Sequence, residues 1–384
     1  MIYLDNNAST SLDPEVWSAM VEAAAVHGNP SSVHAEGQKA RRAVEEARAD
    51  VARLVGGRPE EILLTSGGTE SNALALFGAT SGRRGRIVLS GAEHPSVREA
   101  AARLAGDGFE VVTVDPDPSG ALDPERVLAA VTPGTVLVSV MSANNEYGGV
   151  YPIEALARGA RLRGSLFHTD AVQAAGRIPV DATAWGVDLL SISAHKMHGP
   201  KGAGALFVRR SVSLSPHTPG GGQEKRLRAG TENTLAIVGF GAASRLGVRR
   251  VAEDARAIGV RRDRLERGIL EGIPGTRAVG ERAPRLPNTS AILFEEASGE
   301  ALLIRLDLEG IAVSVGSACS SGTLAPSPAL LALGLSREEA KRVVRFSLSR
   351  QTTDAEIVRV LEVLPGLVRE VRGAAAAACA GSPS

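Results

Sequence analysis

Short apolar runs rich in β-branched residues alternate with helical patterns through the first two-thirds of the chain. The apolar runs cover residues 61–65, 86–90, 109–114, 135–140, 165–169, 187–193 and 204–208. Helical patterns lie between several of them, for instance at Ser96–Leu104, Pro124–Val131 and Ile153–Arg163. Strands that alternate with helices form βαβ units, which place the strands in a mostly parallel sheet. The pattern therefore predicts an α/β fold in which ligands bind outside the carboxyl ends of the strands.

The pattern changes near Val248, where a long Arg-rich helical stretch begins and fewer strands follow. A final helix is predicted near Asp354–Arg369, and the N-terminal strand is expected to complete this second part. We therefore expect a large domain of residues 14–247 and a small α+β domain formed by residues 1–13 and 248–373. The Ala-rich residues 374–384 are expected to form a flexible tail.

Composition argues against several classes of protein. The 384 residues include 43 basic and 43 acidic side chains, so the clustered basic surface of a nucleic-acid binder is not expected. Cys319 and Cys379 are the only cysteines, which argues against a disulfide framework and for a reducing, cytoplasmic setting. The N-terminus lacks the pattern of a secretory signal, and no apolar run is long enough to cross a bilayer.

Glycine and polar residues follow several of the predicted strands. Residues 66–69, Ser-Gly-Gly-Thr, lead from a strand into a helix. A helix N-terminus suits a phosphate, although an ordinary strand–helix turn has the same composition. His94 follows the next strand, where either a catalytic or a hydrogen-bonded structural histidine fits. Asn144 and Asn145 follow a later strand, and paired amides either bind a small polar ligand or make a turn.

An acid and a lysine occupy two further strand ends. Asp170 could bind a cation or a protonated ring nitrogen, or it could cap a helix. The lysines are Lys39, Lys196, Lys201, Lys225 and Lys341. Lys196 lies directly at a strand's carboxyl end, and Lys201 is its nearest competitor. A phosphate site, a carboxylate, a histidine and a lysine at one sheet edge are the parts that pyridoxal 5'-phosphate (PLP) requires.

Ten stretches of the sequence carry a family resemblance over essentially the whole chain. They are YLDNNAST, GNPSSVHAEG, TSGGTESNALA, EHPSV, NNEYG, HTDAVQAAG, SAHKMHGPKG, RAGTEN, GSACSSG and RFSLSR. With these motifs the chain resembles the NifS/IscS group of cysteine desulfurases in the class V aminotransferase family. The resemblance implies the PLP-dependent transferase fold type I, with a mostly parallel seven-stranded sheet, helices on both faces and a smaller α+β domain. It also implies a homodimer with active sites near the subunit interface.

The resemblance also implies roles in cofactor binding. Lys196 would form the Schiff base with the cofactor, Asp170 would pair with the pyridine nitrogen, and Gln173 would reach the ring hydroxyl. His94 would stack on the ring and move protons. The phosphate would be held by Gly68, Thr69, Ser193 and His195, with Thr231 supplied by the partner subunit.

The same resemblance implies the reaction. Asn145, which also contacts the cofactor, and Arg345 would bind the substrate carboxylate, since a planar guanidinium matches two oxygens. Cys319 lies in a stretch of small residues, and its thiolate would attack the sulfur of L-cysteine. Alanine would leave, and Cys319 would carry a persulfide to an acceptor protein for iron–sulfur cluster assembly or tRNA thiolation. During delivery Cys319 would also transiently share in ligating a nascent iron–sulfur cluster.

Two other functions fit the same features. One is a selenocysteine lyase or another class V PLP aminotransferase, in which Cys319 is dispensable for turnover. The other is a non-catalytic assembly scaffold that has kept the fold, although Lys196, Asp170 and Cys319 are all present. Neither a stable complex with nucleic acid nor a membrane association is expected.

Overall fold

The computed structural model describes residues 1–316 and 326–380. The strands there are β1 (Ile2–Tyr3), β2 (Ile62–Thr65), β3 (Arg86–Ser90), β4 (Glu110–Val114), β5 (Thr135–Ser139), β6 (Leu166–Asp170), β7 (Leu189–Ser193), β8 (Gly204–Val208), β9 (Thr276–Ala278), β10 (Thr289–Phe294), β11 (Ile311–Ala312), β12 (Ser314–Val315) and β13 (Val343–Ser347). The helices are α1 (Pro14–Ala23), α2 (Ala35–Leu54), α3 (Gly68–Thr80), α4 (Pro95–Gly106), α5 (Pro124–Ala129), α6 (Ile153–Leu162), α7 (Ala182–Trp185), α8 (Thr234–Gly272), α9 (Gly299–Leu308), α10 (Pro328–Ala332), α11 (Arg337–Ala340) and α12 (Asp354–Ala380).

A seven-stranded sheet forms the centre of the large part of the molecule. Its strand order is β2-β8-β7-β6-β5-β3-β4, and β8 runs antiparallel to its two neighbours while the other pairs are parallel. The predicted α/β fold with a mostly parallel seven-stranded sheet is therefore confirmed. Each of the seven apolar runs in the sequence matches one of these strands to within two residues at either end, as expected for a sheet covered on both faces.

Helices cover both faces of this sheet. Successive strand residues point to opposite faces, so Leu189 packs with α3 and α4 while Leu190 packs with α2, α6 and α8. The second hydrophobic core belongs to the smaller antiparallel sheet, of order β12-β13-β10-β9, and is built around Phe294 and Phe346. None of the helices in residues 1–316 and 326–380 combines the length and the apolar character needed to cross a lipid bilayer.

The N-terminal residues join the second core. Strand β1 pairs in parallel with β11, and Leu4 is fully buried among the residues of the second core. Asn6 continues the contact by donating its backbone N–H to the carbonyl of Ser347, the last residue of β13, at 3.2 Å. The first residues of the chain therefore lie against strands that come more than three hundred positions later.

Two helices extend beyond the limits expected from sequence. Helix α8 is continuous from Thr234 to Gly272, so the expected domain boundary at residues 247/248 falls inside it. The Asn233 side chain caps its start by accepting a hydrogen bond from the N–H of Ala236 at 3.1 Å. Helix α12 continues to Ala380, into the range expected to be a tail, and residues 381–384 are not among the described residues. The division into two domains stays a prediction.

Helices α2 and α8 approach each other closely at a glycine. A Cβ atom added to Gly241 would lie 2.7 Å from the Cα of Ala47, which is shorter than an ordinary van der Waals contact. One turn further along α2, the buried carboxylate of Asp50 forms ion pairs with Arg245 of α8 and with Arg53. The helix spacing therefore depends on the absence of a side chain at position 241.

We predict that Gly241→Ala lowers the free energy of unfolding by about 1–3 kcal/mol, because the added methyl group must push α2 and α8 apart. The matched control is Gly259→Ala in the same helix, where the nearest atom to an added Cβ is 3.9 Å away. There alanine should raise the free energy of unfolding by up to about 1 kcal/mol through helix propensity. Urea unfolding of both variants measures the difference, and equal effects at the two positions would contradict the close-approach explanation.

Candidate active site

A cavity of about 330 Å³ opens at the carboxyl edge of the seven-stranded sheet. The sequence-predicted site residues that line it are Gly68, Thr69, His94, Asn145, Asp170, Gln173, Ser193, His195, Lys196 and Arg345. Parallel strands end at the same edge of a sheet, so residues far apart in sequence meet there. Lys201, the competing lysine, is exposed and does not line the cavity.

Asp170 is the last residue of β6 and is 4% exposed. Its Oδ2 accepts a hydrogen bond from the side-chain amide of Asn72 at 2.7 Å, and its Oδ1 accepts one from the backbone N–H of Val172 at 2.9 Å. Two donors on different elements hold the carboxylate in one orientation. A carboxylate held in this way can bind a protonated ring nitrogen.

His94 is the N-cap residue of α4. Its Nδ1 accepts the backbone N–H of Ser96 at 3.1 Å, so the proton of the neutral ring belongs on Nε2. Burial, together with the nearby Lys196 and Arg98 cations, lowers the pKa of His94, although the Asp170 carboxylate acts in the opposite direction. The ring is therefore neutral at pH 7 and can accept a proton.

Lys196 follows β7 within a short 3-10 turn, residues 194–196. Its Nζ donates hydrogen bonds to the backbone carbonyls of Asn7 at 2.6 Å and Ala8 at 2.7 Å. These contacts hold the amine against Asn7 and Ala8, which line the cavity. The adjacent His195 has its pKa lowered to about 4 by burial and by the Lys196 and Lys201 cations, so its ring is neutral.

Arg345 reaches the same cavity from β13 in the smaller sheet and is 3% exposed. Its Nη2 donates to the Asp5 carboxylate at 2.6 Å, and its Nη1 donates to the backbone carbonyl of Asn145 at 2.8 Å. The cavity therefore has walls from both hydrophobic cores. A buried guanidinium at this position can bind a carboxylate from a ligand.

Sequence reasoning gave no role to Asn7, although it lines the cavity and is 1% exposed. Its Nδ2 donates to the carbonyl of Asn145 at 3.0 Å and to the hydroxyl of Thr289 at 2.9 Å. Its own carbonyl accepts from Lys196 and from the Gln173 side chain, the latter at 3.1 Å. Asn7 lies in the YLDNNAST motif, but an asparagine after a short apolar run is explained equally well as a turn residue.

Glu93 is a second residue that the sequence did not single out. It is fully buried, and burial raises its pKa to about 8, so the carboxyl is protonated at pH 7. Its Oε1 accepts hydrogen bonds from the hydroxyl of Ser90 at 2.5 Å and the N–H of Met141 at 2.7 Å. Glu93 therefore joins the residues that follow β3 and β5 and holds the turn that carries His94.

Thr231 does not line the cavity of its own chain, and Cys319 cannot be compared with the cavity. Thr231 is exposed, in the loop that precedes α8. Cys319, predicted both as the nucleophile and as a transient metal ligand, lies outside the described residues. Within residues 1–316 and 326–380, no cluster of three or more His, Cys, Asp or Glu side chains is arranged to hold a metal ion.

Comparisons with known proteins identify the family of the chain. The family model for class V aminotransferases matches residues 2–360. A protein from Cereibacter sphaeroides named cysteine desulfurase is 46% identical over 376 residues, which are 97% of this chain and 96% of that protein.

Two solved structures have the same fold over nearly the whole chain. The NifS-like protein of Rickettsia africae is 34% identical with a TM-score of 0.88, covering 96% of this chain and 99% of that one. A structure described as SspA in complex with cysteine is 33% identical with a TM-score of 0.81, covering 92% of this chain and 100% of that one. This chain therefore belongs to the class V aminotransferase family and, within it, to the NifS-like group.

Proposed function

We propose that this chain is a cysteine desulfurase, which removes sulfur from L-cysteine and leaves L-alanine and a persulfide on Cys319. The observation that carries the proposal is the meeting of Lys196, Asp170 and Arg345 in one cavity. A protein from Cereibacter sphaeroides named cysteine desulfurase is 46% identical to this chain, and a related structure of 33% identity holds cysteine. These likenesses favour cysteine over other amino acids as the substrate.

Members of the class V aminotransferase family depend on PLP, and the residues of this cavity fit that cofactor. Asp170 offers a buried carboxylate to the ring nitrogen, and the N-terminus of α3 offers backbone N–H groups to the phosphate. A Cβ atom added to Gly68, the first residue of α3, would lie 2.7 Å from a methyl group of Val172, so the close packing of the start of α3 against Val172 requires glycine at position 68.

A buried polar atom also supports the fit. Among the described residues, the side-chain oxygen of Asn72 has no hydrogen-bond partner, although its amide nitrogen is bonded to Asp170. Buried polar atoms are rarely left unpaired, so a ligand group next to Asp170 is the expected partner. Gly68, Thr69, Ser193 and His195 would hold the phosphate, and Gln173 would reach the ring hydroxyl.

The bound cofactor supplies an aldehyde and an electron sink for the carbon atoms of the substrate. Arg345 and Asn145 bind the substrate carboxylate, and the Lys196 amine and the neutral His94 ring move protons at the substrate carbons. The Cys319 thiolate attacks the substrate sulfur, and the carbon–sulfur bond breaks as the new sulfur–sulfur bond forms. The electron pair of the broken bond remains with the substrate carbon, which takes a proton and leaves as alanine.

The proposal includes partners. We infer a cytoplasmic homodimer in which Thr231 completes the phosphate site of the other subunit. This role is supported by the exposure of Thr231 and by its absence from the lining of the cavity in its own chain. The persulfide on Cys319 would pass to an acceptor protein for iron–sulfur cluster assembly or tRNA thiolation. Cys319 would briefly share in ligating a cluster during that delivery.

The first experiment is incubation of the PLP-loaded protein with L-cysteine, followed by mass measurement of the peptide that contains Cys319. We expect a gain of one sulfur atom. Cys319→Ala should keep the cofactor but release sulfide from cysteine at least about a hundredfold more slowly, because the nucleophile is gone. Cys379→Ala is the matched control and should behave as wild type. Substantial turnover by Cys319→Ala would favour a selenocysteine lyase or another class V aminotransferase.

A second prediction concerns the lysine. Reduction of the PLP-loaded protein with borohydride should label the peptide containing Lys196, because a Schiff base is reduced to a stable amine. Lys196→Ala should lose the label and nearly all activity, whereas Lys201→Ala, whose side chain is exposed, should keep both. Peptide mass mapping reads the label. A wild-type protein that takes up no PLP would instead point to a non-catalytic scaffold.

The dependence of kcat/KM on pH tests His94. Burial lowers the pKa of His94 below its ordinary value of 6.5, so the ring stays neutral as the pH falls to that value. The decrease of kcat/KM on the acid side should therefore occur below about pH 6.5. His94→Gln should lose that limb together with about a hundredfold or more of the rate. The control His27→Gln changes an exposed histidine and should keep the wild-type profile. An acid limb that persists unchanged in His94→Gln would assign it to another group.

A further inference from the structure

The guanidinium of Arg345 is only partly used by the protein. Its two terminal nitrogens donate to Asp5 and to the carbonyl of Asn145, at 2.6 and 2.8 Å. Its Nε has no hydrogen-bond partner within the described part of the chain, although it is buried. An unpaired buried donor on a charged group is costly, so this N–H is available to an anionic ligand group.

Asp5 fixes the other side of the guanidinium. Its backbone forms a parallel bridge with Ser347 beside the end of β13, and its carbonyl accepts the hydroxyl of Tyr3 at 3.1 Å. The Asp5 side chain is 20% exposed and does not line the cavity. It therefore contacts Arg345 without being placed to contact a ligand.

The contact between Asp5 and Arg345 limits how the guanidinium can bind a ligand. A guanidinium can bind a carboxylate through its two terminal nitrogens or through Nε and one terminal nitrogen, and both arrangements need a fixed plane. Asp5 and the Asn145 carbonyl each bind one terminal nitrogen, so together they fix the plane. The arrangement left to a ligand uses Nε and the remaining N–H of a terminal nitrogen.

We propose that Asp5 is a positioning residue for substrate recognition. It holds Arg345 so that Nε and one terminal nitrogen can each donate a hydrogen bond to the α-carboxylate of the amino-acid substrate. The inference rests on the proposed function for the identity of the substrate as cysteine. It adds a residue that acts only through Arg345. Its loss should weaken binding of the carboxylate much more than it slows the chemical steps.

A second aspartate–arginine pair provides a matched control. Asp13 accepts a hydrogen bond from Arg350 at the same 2.6 Å distance, and both side chains are largely buried. Neither residue lines the cavity that contains Lys196 and Arg345. Asp13 also caps α1, a role that asparagine fills equally well, so Asp13→Asn changes the ion pair without removing the cap.

The experiment compares PLP-loaded wild type, Asp5→Asn, Asp5→Glu and Asp13→Asn. Alanine formation is measured against L-cysteine concentration, and the dissociation constant of L-alanine is measured from the change in cofactor absorbance. For Asp5→Asn we expect KM and the alanine dissociation constant to rise about tenfold while kcat stays within about threefold. Asp13→Asn should keep the wild-type KM and alanine dissociation constant even if its Tm falls as far as that of Asp5→Asn. Asp5→Glu should bind cysteine and alanine more tightly than Asp5→Asn but less tightly than wild type.

Each alternative outcome has a distinct meaning. Wild-type values of KM and of the alanine dissociation constant in Asp5→Asn would overturn the inference. So would tighter binding, which would mean that Asp5 competes with the substrate for Arg345. If the wild type forms no alanine from cysteine, the proposed function fails, and the alanine dissociation constants alone still decide whether Asp5 positions Arg345.

Discussion

The parallel arrangement of the central strands determines where chemistry can occur in this molecule. Strands β3, β5, β6 and β7 end at one edge of the sheet, and the residues beyond that edge no longer pair with neighbouring strands. The residues that follow these strands include His94, Asn145 and Lys196, and Asp170 ends one of them. Because the strands are buried on both faces, their positions are fixed by packing. The polar groups at the edge are therefore held in place by a rigid support.

The smaller sheet completes the site through a short N-terminal segment. Asn7 donates to Asn145 on the large side and to Thr289 on the small side, and the Asn288 side chain donates to Asn7 at 2.9 Å. Each of these side chains has a polar partner, which offsets the cost of burying an amide. The segment thus joins the two hydrophobic cores through directed hydrogen bonds, and Arg345 enters the cavity beside it.

The sequence predicted the sheet well because its strands are nearly continuous apolar runs bounded by turn residues. It also pointed to Lys196, since the chain contains few lysines and only one directly at a strand end. The start of α8 was harder to predict: residues 234–247 include Gly239, Gly241 and Gly247, which are poor helix formers, and the packing of this half against α2 compensates for their low propensity.

The contacts of Asp5, Asn7 and Asn72 could not be predicted from local patterns. Asn72 binds Asp170, which is 98 positions away, and Asp5 binds Arg345 across 340 positions. An asparagine or aspartate near a strand end has an equally good local explanation as a turn or cap residue, and only the tertiary structure distinguishes the two.

The pairing of β1 with β11, and of residues 5 and 6 with Ser347, has a consequence for biosynthesis. Residues 2–6 are synthesised more than three hundred positions before these partners and must wait for them. The central sheet can form earlier, since its strands lie within residues 62–208, and domains generally fold as they emerge. A chain that stalls before β13 would carry the lysine and the aspartate of the sheet edge but would lack the arginine and leave residues 5 and 6 without their contacts to Ser347. Competence to bind an amino acid thus arises only after β13 has been synthesised.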